Sequence, residues 1–195
     1  MSPSFQPEAD GVTFHLKAVY TDTLRNEYSK EHSTHPIRMS RICGPVEVVN
    51  DTTFTVRFYR MGLDNPKRTG GICLMASVKQ DHKYRSAVQQ VEIRIPYRNK
   101  EGIPQRIIFP KLSDVKASVK EISLNGTADS GLPVYYYVKE GPAEIKGDKL
   151  VLTKIPSRAK FPVKVTVVAW QYGRSGEPKV QTAEAAEQSF YITAR

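Results

Sequence analysis

The sequence predicts an all-β chain built as two tandem immunoglobulin-like β-sandwich modules, 1–98 and 104–195. Three observations carry this prediction. Short runs rich in Val, Ile, Tyr and Thr recur along the chain, separated by Gly, Asn and Asp turn signals. No stretch keeps apolar residues at helical spacing beyond one or two turns. One phrase occurs twice: GPVEVVND starts at Gly44 and GPAEIKGD at Gly141, and 141 − 44 = 97.

The match extends outward from the two glycines. Pro36 aligns with Pro133, Ile37 with Val134 and Met39 with Tyr136. After four extra residues in the first copy, Ile72-Cys73-Leu74-Met75-Ala76 aligns with Val165-Thr166-Val167-Val168-Ala169. The copies close at Ile95 and Ile192, again 97 apart. A register held at separate anchors is the mark of a duplicated structural unit. Gly-Pro is then the turn leaving one core strand, and the Asn-Asp or Gly-Asp end opens the next hairpin.

The second copy yields its strands in order. Gln105–Phe109 is apolar and strand-like, and Ala117–Leu124 alternates with period two. Pro133–Lys139 holds three tyrosines and two valines. Ala143–Ile145, Leu150–Thr153, Phe161–Trp170 and Ala185–Ile192 complete the set, with turns at Asn125-Gly126, Ser130-Gly131, Gly147-Asp148, Tyr172-Gly173 and Ser175-Gly176. About seven short strands in about 90 residues match a sandwich. In the first copy, Val12–Tyr28 barely aligns with this pattern. The segment Tyr97–Pro104 is short and polar and reads as the linker.

Strand phase separates inside from outside. Val165, Val167 and Ala169 share one face, and the repeat puts Ile72, Leu74 and Ala76 in the same phase. That face is expected to be core. Trp170 falls on the other face and is expected to be partly exposed or buried only at a module boundary. The two cysteines align with Glu140 (for Cys43) and Thr166 (for Cys73), neither an obligate core position. A bridge between them and two separate thiols both remain open, with separate thiols the expectation.

Composition narrows the function classes. Two cysteines exclude a disulfide-rich scaffold, and no Cys/His cluster has zinc spacing. No run approaches the roughly 18 apolar residues of a spanning helix. The first ten residues lack the basic and apolar regions of a signal peptide. Either the protein is cytoplasmic, or the chain is a piece whose export signal lies elsewhere. A net charge of +9 favours an acidic partner, such as nucleic acid or a sulfated or uronic glycan, yet the charge is spread over both halves as on an ordinary solvated surface. No nucleic-acid recognition element accompanies it.

No catalytic residue or cofactor is assigned. Nucleophile-elbow, phosphate-loop, dinucleotide and zinc-protease signatures are absent from the sequence. The pair Glu184/Glu187 has no sign of a raised pKa. His32 and His35 sit beside Pro36 and read as loop residues rather than metal ligands. The sequons Asn50-Asp51-Thr52 and Asn125-Gly126-Thr127 read as turns. Two features are candidate ligand contacts. One is the inserted loop Arg60–Gly71, carrying Arg60, Lys67 and Arg68. The other is the aromatic set Tyr135, Tyr136, Tyr137, Trp170 and Tyr172, of which Trp170 and Tyr172 are the choice for stacking on a sugar ring.

Across about Gln105–Ile192 the second copy resembles the bacterial immunoglobulin-like modules of MBG type, found in surface and secreted multidomain proteins of Bacteroidota. Ser130-Gly131-Leu132-Pro133-Val134, Ala169, Gln171, Gly173 and Phe190 carry the likeness. The first copy departs from it, with Ser33-Thr34-His35-Pro36-Ile37 at the first motif and Lys79 near the Gln-x-Gly place. The resemblance implies an extracytoplasmic, non-catalytic accessory or spacer module. Its partners would be neighbouring domains of one polypeptide, and it implies no membrane insertion. The alternative is a carbohydrate-binding module preferring acidic polysaccharide.

Overall fold

A computed structural model describes residues 3–22, 27–59, 62–63 and 65–194, and these are all-β, with no helix among them. The chain groups into two units: 1–57 with 69–96, and 58–68 with 97–195.

In the first unit, β1 (Thr13–His15), β6 (Thr53–Val56) and β5 (Val46–Val48) form one sheet in the order β1-β6-β5. A second sheet runs β4 (Arg38–Cys43), β7 (Gly71–Val78), β8 (Ala87–Arg94), and β2 (Thr21–Asp22) pairs with β3 (Glu27–Tyr28). Phe14, Phe54 and Val56 of the first sheet and Met39, Ile72, Leu74 and Ile93 of the second are buried.

The second unit repeats this plan. Its larger sheet has the order β10 (Val115–Lys116), β17 (Ala186–Thr193), β16 (Val163–Trp170), β13 (Tyr135–Glu140). The facing sheet is β11 (Glu121–Ser123), β15 (Lys149–Leu152), β14 (Ala143–Lys146), and β12 (Thr127–Ala128) pairs with β9 (Ile107–Ile108). One cluster joins Val165, Val167, Ala169, Phe190 and Ile192 of the larger sheet to Ala143 and Leu150 of the facing one. Each unit is therefore an immunoglobulin-like sandwich with its core between two sheets.

The sequence repeat is also a structural one. β4 pairs with β7 as β13 pairs with β16, and the register slips between Arg41 and Cys43 in one and between Val138 and Glu140 in the other. Both bulges lead into the repeated Gly-Pro turn. Gly44 (φ 97°) and Gly141 (φ 104°) occupy the left-handed region. A Cβ would lie 2.4 Å from Gly71 O at the first glycine and 2.7 Å from Lys164 O at the second, so only glycine lets the chain pass this close to the neighbouring strand. Asn50 Oδ1 then caps the next hairpin by accepting from the Thr52 and Thr53 amides, each at 2.9 Å, which makes this sequon a turn as expected.

Three expectations change. Ala117–Leu124 is not one strand: the chain turns after Lys116, so that β10 joins the larger sheet and β11 the facing one. The outer face of β16 is not solvated, because Thr166, Val168 and Trp170 are buried along with the core-facing residues. The presumed linker is hydrogen-bonded within the second unit. Asn99 donates from its backbone to Thr182 Oγ1 (2.8 Å), and Ile103 from its backbone to Lys179 O (2.9 Å).

Candidate functional site

Of the five candidate ligand residues, three converge in the second unit around Phe58. Trp170 ends β16, and Tyr172 follows it by two residues. Phe58 meets the Trp170 ring edge-to-face, with centroids 4.7 Å apart and planes at 83°, and the Tyr172 ring at 5.9 Å. From the other side Tyr135, the register partner of Trp170, stacks on the indole at 4.9 Å. Trp170 and Tyr172 are both 0% exposed.

Arg68 enters the same cluster and is 6% exposed. Its guanidinium lies 4.6 Å from the Phe58 ring centroid and 5.6 Å from that of Tyr97, close enough for cation–π attraction. Nη1 donates to Tyr97 O at 2.6 Å, and the side chain also hydrogen-bonds the Tyr172 hydroxyl. Burial pulls the Arg68 pKa down, opposed by the Tyr172 hydroxyl, but a guanidinium has enough margin to stay charged at neutral pH. The same burial pushes the Tyr172 phenol far above its ordinary range, opposed by the Arg68 cation. Both groups thus hold one protonation state across ordinary pH, as a structural polar network does.

Trp170, expected to be partly exposed or buried only at a module boundary, and Tyr172 and Arg68, expected as ligand contacts, are therefore corrected. All three are interior, packed on Phe58 and Tyr97. Lys67 is exposed, in a turn closed by Asn65 Oδ1 accepting from the Lys67 amide at 2.9 Å. Arg60 lies outside the described residues. Sequence reading missed Phe58, Tyr97 and Asn99. A signal for Phe58 was present, since Phe54, Val56 and Phe58 continue one period-two pattern. Asn99 donates through Nδ2 to Tyr172 O at 2.9 Å, fixing the backbone under the cluster.

The residues of the family-like motif have structural work in the same unit. Gln171 is buried, donates through Nε2 to Pro133 O at 2.7 Å and accepts through Oε1 from the Gly173 amide. Ser130 Oγ donates to Gln105 Oε1. Tyr136 is buried, and its hydroxyl accepts from the Gly126 amide at 2.7 Å, in the segment between β11 and β12.

Elsewhere, charged groups pair locally. Lys164–Glu140 meets at 2.7 Å between the neighbouring strands β16 and β13, Lys139–Glu187 at 2.6 Å from β13 over β16 to β17, and Arg98 contacts Glu184 at 2.7 Å. Glu184 and Glu187 thus each face a cation, and the Glu184 pKa is lowered by its hydrogen bond to Arg98. In the first unit, an open groove of about 510 Å³ is lined by Tyr20, Tyr28, His32, Ser33 and His35 among others. His32 stacks on Tyr20 at 4.5 Å. Among the described residues no group of three or more His, Cys, Asp or Glu has a metal-binding arrangement. No helix of the described residues is long and apolar enough to cross a membrane.

No family model matches the chain, and no curated protein matches it. Solved structures similar to it include two forms of human protocadherin-24 EC1-2, at 11% identity with TM-score 0.35 and at 12% with TM-score 0.36; each alignment covers 98% of this chain and 94% of that one. Drosophila N-cadherin EC1-3 aligns at 13% identity and TM-score 0.34, over 100% of this chain and 65% of that one. The assignment of an all-β, tandem-sandwich fold rests on the strand pairing itself.

Proposed function

We propose that the chain is a non-catalytic pair of structural modules, 1–98 and 104–195, within a longer extracytoplasmic polypeptide whose neighbouring domains are its partners. One observation carries this reading. The side chains with the most recognition chemistry, Arg68, Trp170 and Tyr172, are committed to interior packing, and the repeated bulge and Gly-Pro turn serve the sandwich alone. The use of Gln171, Gly173 and Ser130 as internal hydrogen-bonding groups supports the finer reading, an MBG-type spacer of the kind found in Bacteroidota.

A second reading, binding of an acidic polysaccharide, is favoured by the net charge of +9 and by the exposure of Lys67. Titration with heparin and with polygalacturonate at low and physiological salt distinguishes the two. The spacer reading expects no saturable binding at physiological salt. Saturable, salt-sensitive binding that weakens in Lys67→Ala would establish the glycan reading instead.

A further inference from the structure

Cys43 and Cys73 are register partners across β4 and β7, directly after the β4 bulge. Residues opposed in an antiparallel pair project to the same sheet face, with Cα atoms about 4.5–5.5 Å apart. A disulfide spans Cα atoms about 4.4–6.8 Å apart, a range that includes the separation of such register partners. The second unit shows how near the side chains come at this place. Glu140 and Thr166 are opposed after the same bulge, and Thr166 Oγ1 donates to Glu140 Oε1 at 2.7 Å. In the first unit the corresponding contact is made by two thiols, both free. Their neighbours Ile72 and Leu74 carry the core, while Cys43 is exposed and Cys73 half-buried.

We propose that Cys43 and Cys73 are a redox modification site, forming a reversible cross-strand disulfide that clamps β4 to β7 when a small-molecule disulfide such as oxidised glutathione is the oxidant. The thiol of Cys43 loses its proton, and its thiolate attacks one sulfur of the oxidant. The S–S bond of glutathione breaks, and the departing glutathione thiolate takes up a proton. Cys73 then deprotonates, attacks the Cys43 sulfur and expels the second glutathione thiolate, which is protonated in turn. Two protein thiols are oxidised by two electrons, and one glutathione disulfide is reduced to two thiols. Exposure makes Cys43 the entry point. The hydrogen bond to Cys43 and partial burial hold the Cys73 thiol up, which makes it the second of the two thiols to react. The closed loop spans 73 − 43 = 30 residue steps and encloses β5, β6 and 58–68. Closing it restricts the unfolded chain and so favours the folded one.

The test incubates the native chain with oxidised glutathione, blocks remaining thiols with an alkylating agent, and reads intact mass and a non-reducing tryptic map. The expected product has lost two hydrogens, carries no alkyl group, and joins the peptides 42–57 and 69–79. Its melting temperature exceeds that of the reduced chain, and a reductant reverses both changes. Cys73→Ser should stop at a Cys43–glutathione adduct, and Cys43→Ser should lose the thermal shift. Three results would overturn the proposal: two alkylated thiols on the folded native chain, a native chain arrested at the Cys43 adduct, or a dimer joined through Cys43.

Discussion

Replacing Trp170 with Ala is expected to destabilise the second unit by about 4 kcal/mol. The magnitude follows from the surroundings of the ring. Trp170 is 0% exposed, and truncating a buried Trp to Ala costs about 3–5 kcal/mol. Its ring meets Phe58 at 4.7 Å and Tyr135 at 4.9 Å, and such aromatic pairs contribute about 0.5–1.5 kcal/mol each beyond their area, which places the loss in the upper part of that range. Against this, the buried indole N–H has no hydrogen-bond partner among the described residues, and removing it relieves a desolvation cost of about 1 kcal/mol. The assay is equilibrium urea denaturation. Trp170 is the single tryptophan, so its fluorescence reports the second unit in the wild type, while the variant is followed by circular dichroism and tyrosine fluorescence. Trp170→Phe should recover part of the loss. A cost below about 0.5 kcal/mol, the range of ordinary surface substitutions, would refute the interior placement of the ring and of the Phe58 segment with it.

Two further outcomes test the polar groups. Arg68→Met keeps an apolar stem against Phe58 but removes the donors to Tyr97 O and the Tyr172 hydroxyl, and should cost about 2–3 kcal/mol in the same denaturation assay; unchanged stability would show that the guanidinium is not bound there. Stability should also fall on acidification. Asp81, held low first by its hydrogen bond from Ser33, and Asp51, held low first by the Met39 amide, both have folded pKa values below the ordinary one. Their contribution is complete above the unfolded Asp pKa of about 3.9 and is lost as pH falls toward the folded values. Thermal melts from neutral pH downward should show the decline in the wild type and a shallower one in Asp81→Asn; parallel curves would exclude Asp81 as a source.

The two copies carry different chemistry on one scaffold. At the place after the bulge, the first holds Cys43 and Cys73, and the second holds Glu140 and Thr166. The Glu140 carboxyl is also drawn on by Lys164, and that hydrogen bond is the main cause of its lowered pKa. The strand register after the bulge is common to both, while the side chains paired there differ.

What the sequence determined by itself is local and steric. Gly44 and Gly141 have positive φ because the chain must turn against the next strand, and glycine alone does so without strain. Alternation along 163–170 correctly placed Val165, Val167 and Ala169 in the core, because successive side chains of a strand must point to opposite faces. The linker, the outer face of β16 and Arg68 were misjudged for one shared reason: polarity and turn residues describe a segment without saying what packs on it. Whether the Trp170 end of that face is wet depends on Phe58, more than 100 residues earlier in the chain. Whether two cysteines 30 residues apart meet depends on a one-residue slip in the pairing of β4 with β7. Those outcomes belong to tertiary structure, because long-range burial and strand register are set by the summed fit of both partners, and neither partner's local sequence contains the other.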